Sequence, residues 1–96
     1  MVQGWIMKTI RVSVPWPEGL HLRPAARIVA VACEFKSVVS VRLGSHVAQA
    51  GSVLALIMLC ATLNTPVDIE AHGDDEQDAV KAVAACFDTH DTRLRQ

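Results

Sequence analysis

A histidine and an arginine lie where the sequence changes from a loop to a predicted helix, in the segment Gly19-Leu20-His21-Leu22-Arg23-Pro24-Ala25-Ala26. Glycine lets the backbone turn freely, and proline is tolerated in a first helical turn because the amides there have no intrahelical acceptor. We therefore expect a helix to begin at His21, with its first-turn N–H groups and the positive end of its dipole facing outward.

This arrangement is suited to phosphoryl chemistry on His21. A neutral imidazole is a good nucleophile near neutral pH, and its bond to phosphorus is labile enough to be passed on. The phosphoryl group would lie beside the first-turn amides, and Arg23 could supply a charge-assisted contact. The plainer interpretation is a surface cap, because a histidine beside a helix start is by itself a weak indication of function.

The hydrophobic pattern predicts the elements that position this segment. Apolar and polar residues alternate from Met7 to Val14, with Ile10, Val12 and Val14 on one face, as in a half-buried strand. A helix is predicted from Leu22 to Phe35, with an inward-facing set at helical spacing: Leu22, Ala25, Ala26, Val29, Ala32 and Cys33.

The second half of the chain continues the pattern. A hairpin of Val39 to Leu43 and His46 to Ala50 turns at Gly44-Ser45, and Ser52 can cap a short helix that runs to Cys60. A strand over residues 67–72 and an amphipathic helix after Gly73, with carboxylates in its first turn, complete the order β-α-β-β-α-β-α. That order suits an α+β fold with one antiparallel sheet and helices on one face.

Length and composition limit the class of protein. Ninety-six residues suffice for one domain, with nine basic and ten acidic side chains, so the overall charge does not favour nucleic acid. No apolar run approaches the length of a membrane span, and three widely spaced cysteines in apolar stretches are typical of reduced core thiols. We expect a cytoplasmic protein with a domain over residues 7–88, an N-terminal extension over 1–6 and a polar tail over 89–96.

The segment around His21 resembles the active-site signature of HPr, the histidine-containing phosphocarrier family of the bacterial phosphoenolpyruvate-dependent sugar phosphotransferase system. The resemblance extends to Phe35, to Ser52 and to Gly73-Asp74-Asp75-Glu76-Gln77 with Ala79-Val80, at the family's spacings. It implies an open-faced β-sandwich, with four antiparallel strands under three helices.

The resemblance also implies roles and partners. His21 would carry the phosphoryl group, on Nδ1, and Arg23 would support it. Phosphate would come from enzyme I and pass to an enzyme IIA component of a sugar permease or to a nitrogen-regulatory counterpart. The protein would be a monomeric, stoichiometric carrier that needs no cofactor or metal, and not an enzyme.

Ser52 matches a serine that the HPr kinase/phosphatase phosphorylates in some relatives. A phosphate at the start of a helix would stabilise that helix and repel partners of the same sign. The alternative is that Ser52 is a plain helix cap.

The chain departs from the family in the region expected to bind partners. Leu22 replaces a small residue or Thr, and Gly51, Ala30 and Cys33 occupy positions where relatives carry lysines. The run Val53 to Met58 is apolar throughout, so some of Val53, Leu54, Ile57 and Met58 must be exposed, and with Leu22 they could dock a partner. A tighter core and self-association are the alternatives.

The remaining cysteines and histidines do not favour a redox or zinc site. Cys60 replaces a glycine common in relatives and is expected to fill core space. His46 and His72 are expected on solvent-facing strand positions and His90 in the tail, and with the cysteines they lack zinc-ligand spacing.

Two further functions remain open beside the carrier. The first is a regulatory binding module that acts on a kinase or a transcription factor through the apolar helix. The second is an enzyme that uses His21 as a base, which is disfavoured because no carboxylate or nucleophile close in sequence would complete a dyad.

Overall fold

The computed structural model describes residues 8–88. The extension at residues 1–6, Met7 and the tail at 89–96, including His90, lie outside the described residues. Four strands and three helices follow one another in the expected order: β1 (Lys8–Ser13), α1 (Leu22–Ala32), β2 (Val38–Leu43), β3 (His46–Gln49), α2 (Val53–Met58), β4 (Pro66–His72) and α3 (Glu76–Ala85).

The strands form one antiparallel sheet in the order β1-β4-β2-β3. Ile10 pairs with Ile69 between β1 and β4, and Val41 pairs with Ile69 between β2 and β4. These side chains share the inner face of the sheet, which α2 and α3 cover, while α1 packs against both of those helices. The predicted α+β open-faced sandwich is confirmed.

Alternation along the strands decides which side chains are buried. In β4, Val67, Ile69 and Ala71 are buried, whereas Asp68 and Glu70 are partly exposed on the outer face. There Asp68 pairs with Arg11 at 2.8 Å and Glu70 with Arg42 at 2.8 Å. The hydrogen bond from Arg11 lowers the pKa of Asp68, because it stabilises the charged carboxylate. The outer face of the sheet is therefore a solvated, charged surface.

The first helix is shorter than predicted and buries a different stripe. It ends at Ala32, and Pro24, Ala25, Ile28 and Ala32 are its buried residues. Of the set at helical spacing, Ala26 and Cys33 are exposed and not buried, and Leu22 is exposed, as a partner-docking position requires. The sequence pattern was ambiguous because apolar residues cover more than one face of this helix, and the packing against α2 and α3 selected the face with Ile28.

Candidate functional site

His21 is the N-cap residue of α1. Its backbone is extended, with φ −102° and ψ −167°, and its carbonyl oxygen accepts the hydrogen bond of the Ala25 amide at 3.0 Å. Its side chain makes no capping hydrogen bond with the helix and is 41% exposed. The imidazole is thus available to a reaction partner beside the amide end of the helix, where an anion is stabilised.

The loop before His21 is fixed to the segment that follows α2. The Leu20 amide donates to the Ala61 carbonyl at 2.9 Å, and the Leu20 side chain is buried. Gly19 has a φ of +77°, and a Cβ there would collide with the same carbonyl oxygen of Ala61. Only glycine meets both conditions, so Gly19 determines how closely the loop before His21 approaches the segment that follows α2.

Leu22 and Arg23 follow His21 in the first turn of α1, and both are exposed. The amides of a first helical turn have no carbonyl acceptor within the helix. Together with the guanidinium of Arg23, they can stabilise the oxygens of a phosphoryl group on the adjacent histidine.

Ser52 begins α2 as its N-cap, and its Oγ accepts the Ala55 amide at 3.1 Å. In the helix itself Leu56 faces the core, whereas Leu54 and Met58 are 67% and 70% exposed. Val53 and Ile57 are partly buried. A helix of six residues cannot turn every apolar side chain inward, which explains the exposure that the sequence pattern predicted.

The exposed apolar residues of α1 and α2 belong to two helices that pack against each other. Leu22 is 64% exposed. We call Leu22, Val53, Leu54, Ile57 and Met58 the apolar helical surface. Ala30, Cys33 and Gly51, at which the family resemblance implies a loss of lysines, are also exposed, so charged side chains there would be accessible to a partner.

Two of the three cysteines do not lie in the core, contrary to expectation. Cys33 and Cys60 are exposed, and only Cys86 is buried, where burial raises the pKa of its thiol. Cys60 follows α2 with a φ of +56°, the left-handed conformation that favours glycine at this position after a helix. A glycine would adopt this backbone more readily, and Cys60 does not fill core space as predicted.

Two acidic residues of structural consequence were missed by the sequence analysis. Oε1 of Glu18 lies 3.8 Å from Nε2 of His21. Asp75, expected only to complement the α3 dipole, accepts hydrogen bonds from the Lys36 and Ser37 amides, each at 2.9 Å, and from the Ser37 hydroxyl at 2.5 Å. The three-residue separation of Glu18 and His21 was a usable signal for the first contact, but the Asp75 contacts join residues too distant in sequence to be predicted.

Neither a metal site nor a membrane-spanning helix is found within the described residues. From residue 8 to residue 88, no three His, Cys, Asp or Glu side chains form a group that could hold a metal ion. None of the helices in this range is long and apolar enough to cross a membrane. His46 and His72 lie in strands and are exposed, as predicted.

Comparison with known proteins identifies the family to which this chain belongs. The family model described as "PTS HPr component phosphorylation site" matches residues 8–89. The phosphocarrier protein NPr of Proteus mirabilis is 39% identical over 80 residues, which cover 82% of this chain and 89% of that protein. The phosphocarrier protein HPr of Haemophilus influenzae is 42% identical over 78 residues, covering 81% and 92% of the two chains.

A solved structure agrees with these sequence matches. HPr-C-His from Thermoanaerobacter tengcongensis superposes with a TM-score of 0.81 at 28% identity, covering 93% of this chain and 97% of that one. The similarity thus includes the sheet, the three helices and nearly the whole length of the relatives. The chain belongs to the HPr family of phosphocarrier proteins of the phosphotransferase system.

Proposed function

We propose that this protein is a cytoplasmic, stoichiometric carrier that accepts a phosphoryl group from phospho-enzyme I on His21 and passes it to an enzyme IIA protein. The observation that carries the proposal is the exposed imidazole of His21 at the N-cap of α1, next to Arg23. His21 supplies the nucleophile, while the first-turn amides and Arg23 stabilise the transferred charge. The protein acts as a shuttle in this scheme and turns over no substrate of its own.

The carrier function is tested by incubating the protein with phosphoenolpyruvate and the enzyme I encoded in the same genome. We expect an acid-labile adduct of one phosphoryl group per chain, which His21→Ala abolishes. His46→Ala is the matched control, because it removes an exposed histidine from β3 and should leave phosphorylation unchanged. An unmodified wild-type protein would contradict the proposal.

A second candidate function is a regulatory binding module of the same family. Leu54 and Met58 expose much of their side chains, and Gly51 provides no positive charge beside them. Such a surface suits an apolar partner better than the acidic partner that lysines would attract. The two functions differ in their dependence on phosphorylation: a regulator bound equally well by wild type and His21→Ala would favour the binding module.

Ser52 is a candidate regulatory phosphorylation site for an HPr kinase/phosphatase. Its hydroxyl already caps α2 through the Ala55 amide, so a phosphate would keep an acceptor at that helix start and add negative charge beside the apolar helical surface. A kinase assay with wild type and Ser52→Ala distinguishes this role from a plain cap, which would leave both proteins unmodified.

A further inference from the structure

The carboxylate of Glu18 lies near one of the two ring nitrogens of His21. Its Oε1 lies 3.8 Å from Nε2 of His21, the other ring nitrogen from the Nδ1 that is expected to carry the phosphoryl group. We propose that Glu18 is a positioning residue that keeps the proton of the neutral His21 ring on Nε2 and stabilises the positive charge that the ring gains on phosphorylation. This inference rests on the proposed function and deepens it.

The backbone holds Glu18 in place for this role. The Gly19 amide donates to the Trp16 carbonyl at 2.8 Å, which closes a turn with Pro17 and Glu18 at its centre. The His21 amide donates to the Gly19 carbonyl at 3.0 Å. Both residues therefore start from fixed backbone positions, and only side-chain torsions set the distance between carboxylate and ring.

The distance between Glu18 and His21 and the exposure of both side chains limit how strongly Glu18 can affect the His21 ring. A separation of 3.8 Å is longer than a hydrogen bond, and the Glu18 side chain is 74% exposed. An exposed side chain can rotate to shorten the contact, and contacts at reactive groups commonly tighten when the reaction partner is bound. Ion pairs at this exposure change equilibria by roughly 1.4- to 5-fold, so we expect a modest but measurable contribution.

The chemistry of transfer requires a particular proton arrangement. The electron pair on Nδ1 attacks phosphorus as the bond between phosphorus and the donor atom of phospho-enzyme I breaks, and that bond's electron pair stays with the donor. Because Nε2 keeps its proton, the phosphorylated ring of His21 becomes cationic, and the carboxylate of Glu18 stabilises it. In the onward step a nucleophile of the acceptor protein bonds to phosphorus as the Nδ1–P bond breaks. The electron pair of that bond returns to Nδ1, which leaves the original neutral ring with its proton on Nε2.

The positioning role can be measured without any phosphorylation, by the ¹⁵N chemical shifts of the His21 ring at about pH 8.5, where an ordinary imidazole is neutral. We expect the Nδ1–H tautomer to become more populated in Glu18→Ala, by less than the roughly 5-fold limit of exposed ion pairs, because the carboxylate acts on the N–H dipole of a neutral ring. Glu18→Gln retains an acceptor oxygen and should give a smaller change. Glu34→Gln, which removes a carboxylate beyond the other end of α1, is the matched control and should behave as wild type.

The contribution to transfer is measured in the same variants. With phospho-enzyme I as the donor, we expect phosphorylation to slow by about 2- to 5-fold in Glu18→Ala and Glu18→Gln and to be unchanged in Glu34→Gln. Equal tautomer populations in wild type and Glu18→Ala would overturn the inference. A tautomer change in a protein that enzyme I does not phosphorylate would instead overturn the proposed function and leave Glu18 as a positioning residue.

Discussion

At the scale of single residues, backbone conformation explains which residue types the region around His21 needs. Gly19 lies against the Ala61 carbonyl with a positive φ, and the neighbouring Cys60 also has a positive φ but carries a side chain. Left-handed backbone is unfavourable for residues with a Cβ. Gly19 is therefore the residue type that its backbone favours, whereas Cys60 is not.

Replacing Cys60 by glycine should stabilise the protein. Relief of the left-handed strain, partly offset by the greater freedom of glycine in the unfolded chain, predicts a gain of up to about 1 kcal/mol in the free energy of unfolding. Urea denaturation of the reduced protein measures it. Cys33→Gly is the control, because the φ of Cys33 is −68° and glycine there should destabilise by roughly 0.5 to 1 kcal/mol. A loss of stability in Cys60→Gly would contradict the explanation.

At the scale of elements, the end of α1 is tied to the start of α3. Asp75 is the N-cap residue of α3, but its carboxylate accepts hydrogen bonds from Lys36 and Ser37 in the connection from α1 to β2. Gly73 lies close above Ser37, where a Cβ would come within 2.7 Å of the serine Cα. The loops before α3 and after α1 thus fit together as one unit beside the sheet.

The carboxylate of Asp75 should make stability depend on pH. The hydroxyl of Ser37, and then the Lys36 amide, lower the pKa of Asp75 because they stabilise its charged form. A lowered pKa in the folded state contributes stability above the unfolded value of about 3.9, and that contribution is lost as the pH falls through the folded value. We expect Asp75→Asn to lower the urea midpoint at pH 7 and to differ less from wild type on acidification below about pH 4.

Asp74→Asn provides the control for this experiment. Asp74 is exposed next to Asp75, so the variant removes the same charge without removing the bonds to Ser37. It should retain the wild-type urea midpoint at pH 7. An equal decrease in both variants would mean that net charge, and not the Ser37 and Lys36 hydrogen bonds, causes the effect.

At the scale of the whole molecule, the two sides of the sandwich have different surfaces. The outer face of the sheet carries the ion pairs of Arg11 with Asp68 and of Arg42 with Glu70. The helical side carries His21 and the apolar helical surface, including Leu54 and Met58. A partner that approaches His21 from the helical side would cover apolar side chains, which suits docking by burial of apolar area.

Polar substitutions on the apolar helical surface should therefore affect transfer and not folding. Leu54→Ser and Met58→Ser should change the free energy of unfolding by no more than about 0.5 kcal/mol, because both side chains are already solvated. We expect the KM for phosphorylation by enzyme I to rise several-fold, with a smaller change in kcat. Steady-state kinetics measure both.

A control substitution on the outer face of the sheet distinguishes an effect on docking from a general effect of surface polarity. Val47→Thr replaces an exposed apolar residue of β3, whose side chain is 48% exposed. Its kinetics should match wild type. If Leu54→Ser and Val47→Thr have the same KM as wild type, the apolar helical surface does not dock enzyme I.

The sequence by itself determined the order of the elements and the position of His21. Alternate residues of a strand, such as Val67, Ile69 and Ala71, lie on the same face of the sheet, so an alternating apolar pattern predicts a strand with one buried face. Pro24 and Gly19 mark the start of α1 through their own backbone preferences. These are local properties. They were sufficient for the order of elements, the position of His21 at a helix start and the Ser52 cap.

Tertiary structure decided what local patterns left open. Packing of α1 on α2 and α3 buried Ile28 and exposed Leu22, Ala26 and Cys33, although the apolar pattern permitted either face. The left-handed conformation of Cys60 could not be derived from its residue type, since cysteine rarely adopts it. The contacts of Asp75 with Lys36 and Ser37 join two loops that are far apart in sequence, and long-range packing determines how these loops meet.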